Sequence, residues 1–125
     1  MSNPSGAKGA KAERDVAAWL AERFGYDAKR MLGAGRKEDV GDIHGLPMFT
    51  VQVANWPANT LGALRAKPLA CETQQGHGGT PFGITFLKLP PRPGGKPAEW
   101  RVVLTPEQFA EIYDILRTLW EDDTP

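Results

Sequence analysis

Three features of the sequence predict an α/β fold, a mixed five-stranded sheet flanked by helices in the order α-β-β-β-α-β-β-α. Val16, Leu20 and Phe24, with Ala17 and Trp19 beside them, recur at helical spacing and mark an amphipathic first helix. Phe49, Val51 and Val53 alternate with Thr50, Gln52 and Ala54, and Phe82, Ile84 and Phe86 with Gly83 and Thr85, the two-residue period of strands. Thr105-Pro106-Glu107-Gln108 has a capping residue, a first-turn proline and a glutamine three residues after the cap, and so opens a last helix.

Taken in order, residues 1–6 are rich in Ser, Asn, Pro and Gly and read as a flexible arm, with the first helix starting between Ala7 and Ala10 and ending at Gly25. A strand is expected over Asp27–Leu32, then a polar loop through Gly33-Ala34-Gly35-Arg36-Lys37-Glu38-Asp39. Strands at 41–44 and 48–54 are joined at Gly45-Leu46-Pro47. Pro68 divides the next stretch into a turn at 60–65 and a helix over 68–75, because proline suits a first turn and not a helix interior. Strands at 82–89 and 100–104 follow, separated by the loop Pro90–Pro97. The last helix presents Phe109, Ile112, Tyr113, Leu116, Leu119 and Trp120 as its core face, and 121–125 form an acidic tail.

The length, 125 residues, and 41% hydrophobic content suit one domain with a real core. Fifteen basic and fifteen acidic residues cancel, which argues against indiscriminate nucleic-acid binding. The charges are unevenly placed: residues 1–70 hold ten basic and seven acidic side chains, the remainder five and eight. The lone Cys71 cannot form an internal disulfide, no signal peptide is visible, and no apolar run reaches the roughly 20 residues of a membrane span. A cytoplasmic protein without a membrane partner is expected.

The candidate chemistry lies in Gly41-Asp42-Ile43 and Val51-Gln52-Val53-Ala54. Alternate strand residues share a face, so Phe49, Val51 and Val53 are expected in the core, with Gln52 and Ala54 together on the other side. Asp42, Gln52, the backbone carbonyl of Val53 and Glu13 from the first helix would supply oxygens to a Mg2+ ion, or to Mn2+ in its place. Magnesium takes few protein ligands and keeps waters and substrate oxygens, and such an ion serves phosphodiester hydrolysis. Asp42 alone could cap a turn, and Glu13 alone could be a first-turn acid.

Glu13-Arg14 in Gly9-Ala10-Lys11-Ala12-Glu13-Arg14, Arg30, the Gly-Ala-Gly loop, Gly41-Asp42-Ile43 and Val51-Gln52-Val53 resemble the PD-(D/E)XK nuclease superfamily. The Holliday-junction resolvases, including small phage-encoded members, are the branch most alike. Nine residues separate Asp42 from Gln52. The resemblance implies a restriction-endonuclease-like core and a homodimer that nicks four-way DNA junctions with magnesium. Glu13, Asp42 and Gln52 stand at its metal-binding positions and Ala54 at its catalytic lysine.

Losing that lysine removes a charge-stabilising group, a loss on the order of a hundred- to a thousandfold in rate. Ala54 is read first as a deliberate inactivating replacement, with natural loss, or a cation supplied from elsewhere, as alternatives. Lys88 heads the candidates for such a substitute, followed by Arg36 and Lys37.

Lys8, Lys11, Arg14, Arg30, Arg36 and Lys37 are the expected DNA contacts. Trp56 could stack on a base or pack, Gln74 and Gln75 could approach the scissile phosphate, Glu38 and Asp39 read as loop charges, and His44 and His77 as non-ligands. The function expected is a structure-specific, metal-dependent endonuclease. The alternatives are a non-catalytic DNA-binding or scaffold protein of the same fold, or a nuclease acting on flaps, mismatches or duplex.

Overall fold

A computed structural model describes residues 4–26, 29–30, 42–44 and 46–123. The elements are α1 (Pro4–Phe24), β1 (Lys29–Arg30), β2 (Ile43–His44), β3 (Phe49–Ala54), α2 (Thr60–Gly78), β4 (Phe82–Lys88), β5 (Trp100–Val103) and α3 (Pro106–Asp123). The chain is α/β, but the sheet does not have the five full strands expected. Its substance is a mixed set of three strands, β3, β4 and β5, of six, seven and four residues. β1 and β2 are two-residue segments that continue the order on the β3 side. The sequence around them lacks the sustained alternation of apolar residues that makes a long half-buried strand, and residues 31–41 lie outside the described set.

β3 and β4 run parallel, from Phe49 beside Phe82 to Ala54 beside Leu87, and β5 returns antiparallel to β4. A parallel pair needs a long crossover, which α2 supplies. Both faces of the pair are covered, so β3 and β4 are buried along most of their length. On one face Ala12, Val16, Ala17 and Leu20 of α1 pack against Ile43, Val51, Val53 and Phe86. Trp19 and Phe24, expected in that stripe, are half exposed, Trp19 touching Phe86 edge-on at 5.9 Å.

The other face meets α2 and is polar: Thr50, Gln52 and Thr85 on the strands, Cys71, Gln74 and Gln75 on the helix. The Cys71 thiol lies 3.5 Å from Ile84 O and 3.7 Å from Thr50 O. Burial pushes its pKa up, against a lowering by its contacts with Gln108 and Thr85. Gly83 makes this approach possible, since a Cβ there would stand 2.5 Å from Gln75 Oε1 and 2.8 Å from Gln108 Nε2.

α2 is one continuous helix, which corrects the division expected at Pro68. Asn59 caps it by accepting from Gly62 N–H, and the buried Pro68 ring sits within it. Proline removes one backbone donor, and here the packing of the ring on the covered side offsets that loss. α1 begins at Pro4, so 4–6 are helical and not part of an arm, and α3 runs to Asp123, so the acidic residues 121–123 are helical too.

α3 has the expected capping box, with Gln108 N–H donating to Thr105 Oγ1 and Thr105 N–H to Gln108 Oε1, both at 3.1 Å. Its expected core face is a correction. Gln108 is the buried residue, Ile112 is half-buried, and Phe109, Tyr113, Leu116, Leu119 and Trp120 are exposed. Amphipathicity shows that a face suits covering and not which surface covers it.

Gly83→Ala is expected to destabilise the fold by about 1–3 kcal/mol through overpacking. Gly76→Ala, in open space on α2, is expected to stabilise by about 0.5–1 kcal/mol. Urea midpoints at constant slope check both, and equal midpoints would refute the close packing at Gly83. Because the folded thiol of Cys71 ionises later than the unfolded one, its contribution to stability is intact at neutral pH. It is lost as pH rises past about 9. Unfolding titrations of the native chain and Cys71→Ala should diverge in slope only in that alkaline range.

Candidate active site

Asp42 stands one residue before β2, where the Ile43–Val51 pairing sets it beside the Gln52–Val53 segment. Its N–H donates to Val51 O at 2.8 Å, and its Oδ2 accepts from Val53 N–H at 2.8 Å. The carboxylate is therefore oriented by the strand it faces. Glu13 lies on α1, one turn before the buried Val16 and Ala17. Helix spacing places it over the carboxyl end of β3.

The two acids line a single cavity of about 400 Å³, together with Gly9, Val53, Asn55, Trp56, Lys67 and the Pro57–Asn59 turn. The cavity opens past the carboxyl end of β3, the end of a parallel strand at which open α/β sheets bind ligands.

Gln52 is not brought into it. Gln52 and Ala54 share a face, as expected, but that face is the one α2 covers. Gln52 is beside Thr85, and Ala54 packs with Ala63 and Leu87. Val51 and Val53 face α1, the helix that bears Glu13. Alternation tells which residues go together, and β3 is covered on both sides, so it does not tell which helix each set meets. The Gln52 amide oxygen is buried without a hydrogen-bond partner. Ala54 is 1% exposed, so a lysine at this position would drive its stem into the contact with Ala63 and Leu87.

Asn55 and Lys67 complete the cavity and were not among the expected site residues. Asn55 was legible as the residue two beyond Val53, on the same face. Lys67 was hidden by the division placed at Pro68: as part of one helix running from Thr60 it is carried back toward the end of β3. Its ammonium lies 5.2 Å from the centre of the Trp56 ring, within cation–π range. Lys88, the expected substitute cation, instead lies 5.9 Å from the Trp100 ring and does not line the cavity.

Gln75 turns inward as well, donating to Pro81 O at 3.0 Å and to Glu111 at 3.1 Å, and Gln74 is buried. Neither reaches the cavity. Lys11 and Arg14 are exposed on α1, Lys11 paired with Asp15 at 3.1 Å. Lys8 and Arg30 belong to α1 and β1, and Arg36, Lys37, Glu38, Asp39 and Gly41 lie outside the described residues.

Among the described residues no group of three or more His, Cys, Asp or Glu could hold a metal ion. The cavity offers two carboxylates, with Val53 and the Asn55 amide beside them. That donor set fits magnesium, which accepts one or two carboxylates and fills its octahedron with water and substrate oxygens. It does not fit a metal that demands a full protein cage. No helix is long and apolar enough to cross a membrane among the described residues.

Asp42→Ala is expected to cost about 1–3 kcal/mol, because Val53 N–H loses its acceptor. Asp42→Asn keeps an oxygen there and should stay within about 0.5 kcal/mol of the native chain. Thermal and urea unfolding of the two variants check this, and equal losses would deny the hydrogen bond its role.

Comparison of the chain with protein-family models, with curated proteins and with solved structures finds no match.

Proposed function

We propose that this protein is a magnesium-dependent endonuclease for branched DNA, with the four-way junction as its preferred substrate, acting in the cytoplasm and built on the PD-(D/E)XK pattern. The observation that carries the reading is the convergence of Glu13 from α1 and Asp42 from the start of β2 on one cavity that also holds Lys67. A divalent ion bound there would polarise a phosphodiester and lower the pKa of a water.

The residues of the chain divide the remaining tasks. Glu13 and Asp42 would hold the ion, Asp42 kept in aim by Val53 N–H. Lys67 would carry the positive charge that the resemblance places at position 54, and would neutralise charge developing on the phosphate. Asn55 can donate to a phosphate oxygen from the cavity wall, and Trp56 gives an aromatic surface for a base or sugar. Lys11 and Arg14, exposed on the helix that bears Glu13, would meet the phosphate backbone, with Lys8, Arg30, Arg36 and Lys37 as further proposed contacts.

Two observations favour a second reading, a DNA-binding protein that does not cut. Gln52 faces α2, and Ala54 is packed where the pattern has lysine. The first reading is preferred because Lys67 supplies a cation in the cavity itself.

The test compares nicking of a four-way junction, a flap and a linear duplex of shared sequence in magnesium and in EDTA. The nuclease reading expects magnesium-dependent cuts in the junction, abolished by Glu13→Gln and Asp42→Asn. Lys67→Met should lower the rate by on the order of a hundred- to a thousandfold. Tight junction binding in EDTA, with no cleavage of any substrate in magnesium or manganese, would establish the binding protein instead.

A further inference from the structure

A second cavity, of about 320 Å³, lies between α1 and the β4–β5 side of the sheet. Trp19 of α1 forms one wall and Phe86, Trp100 and Val102 form the other, with Asp15 and Arg101 at the mouth. The register explains the second wall. Phe86 sits beside Val102 and Lys88 beside Trp100, so alternation sets all four on the face that meets α1. β5 ends the described sheet, and Arg101 turns over that edge, its Nη1 donating to Trp100 O at 2.8 Å.

The shape of the cavity selects a planar aromatic guest. Trp19 is half exposed although it stands in the apolar stripe of α1, and its ring meets Phe86 edge-on at 5.9 Å. Two indoles and a phenyl ring around one small space offer the offset and edge-to-face contacts that aromatic rings prefer, at centroid distances of roughly 4.5–7 Å. The volume is at the low end of ligand sites, roughly 300–1,000 Å³, and suits one ring system.

The charges around it select an anion. Asp15 already pairs with Lys11 at 3.1 Å, and Glu99 with Arg92 at 2.9 Å. Arg101 stands 3.7 Å from that same Glu99 carboxylate, and the Lys88 ammonium lies 5.9 Å from the centre of the Trp100 ring. Lys88 and Arg101 are therefore in surplus over the acids around the mouth. Each indole N–H is a donor as well, without acceptor capacity. A cationic guest would meet Lys88 at Trp100 and Arg101 beside it. A ring that bears an acid group would bury its apolar part and turn its charge to donors.

We infer that this cavity binds a small planar aromatic anion, its ring between Trp19 and Trp100 and its acid group at Lys88 and Arg101. A nucleoside monophosphate and an aromatic carboxylate share that chemistry. The inference does not depend on the nuclease reading, because this cavity has no lining residue in common with the one that holds Glu13 and Asp42.

The test titrates the isotope-labelled full chain with adenosine monophosphate and, separately, with phenylacetate, and follows the indole N–H signals of its four tryptophans. Trp19→Phe and Trp100→Phe assign the two signals of interest, and the Trp56 signal reports the other cavity. Saturable shifts of Trp19 and Trp100 are expected for at least one probe, with a Kd at or below ~1 mM. A response to the nucleotide alone or to the carboxylate alone supports the proposal and identifies the acid group. Adenosine lacks the charge, phenethylamine reverses it and inorganic phosphate lacks the ring, so each should bind at least about tenfold more weakly than the acid. The double variant Lys88→Gln, Arg101→Gln should weaken the anion by on the order of tenfold, and its urea midpoint reports whether it folds. The native chain gives the same information without a variant, since raising NaCl from ~50 to ~500 mM should weaken the anion by screening. A native chain in which neither probe moves Trp19 or Trp100 up to ~5 mM overturns the proposal. So does phenethylamine binding as tightly as the acids, or an affinity indifferent to both salt and the double variant.

Discussion

The parallel pairing of β3 with β4 is the constraint from which the other features of the fold follow. Two adjacent strands running the same way cannot be joined by a tight turn, so α2 must cross from the end of one to the start of the other. α1 closes the opposite face. With both faces covered, each side chain of β3 meets one of two helices, and which helix it meets decides its role. Val51 and Val53 are core because α1 lies over them, and the same placement brings Glu13 to the carboxyl end of β3. Asp42 is held there by the strand itself through Val53 N–H.

The layer under α2 is of a different kind. Thr50, Gln52, Thr85, Gln74, Gln75 and Gln108 are buried there around a protonated Cys71 thiol. Burying polar groups is costly unless they are paired, and several are: Thr50 with Thr80 at 2.6 Å, and Gln75 with Pro81, Glu111 and Gln108. An apolar layer of equal volume would be as stable with less geometric demand, whereas directed hydrogen bonds fix the angle at which helices meet. Gln75 is the joint, since it ties α2 to the first turns of α3 and to the strand that follows. Gly83 lets that joint reach the sheet. α3 is thereby tied to α2 through its first two turns.

The cavity is lined by a small set of groups of mixed origin: a helix acid, an acid at a strand entry, the end of β3 and a lysine from the crossover helix. Each comes from a different element, so the set exists only when α1, β3 and α2 are in place together. Lys67 reaches the cavity from α2, whereas Ala54 is packed with Ala63 and Leu87 on the other face of β3.

Local signals in the sequence determined the α/β alternation, the positions of the three long strands and the capping box at Thr105 and Gln108, each of which rests on residues close in the chain or on a short periodic pattern. A joint role for Glu13 and Asp42, far apart in the chain, was an expectation of the family resemblance. The length of the sheet was misjudged because β1 and β2 depend on partners for their extent and carry no alternation of their own. The unity of α2 was missed because the penalty for Pro68 is local, whereas the burial that offsets it is tertiary. Only the three-dimensional structure decided that Gln52 and Ala54 meet α2, that Asn55 and Lys67 join the cavity, and that Phe109, Tyr113, Leu116 and Leu119 of α3 are exposed. The physical reason is common to all three: periodicity states which side chains lie together, and the surface they meet is chosen by elements distant in the sequence.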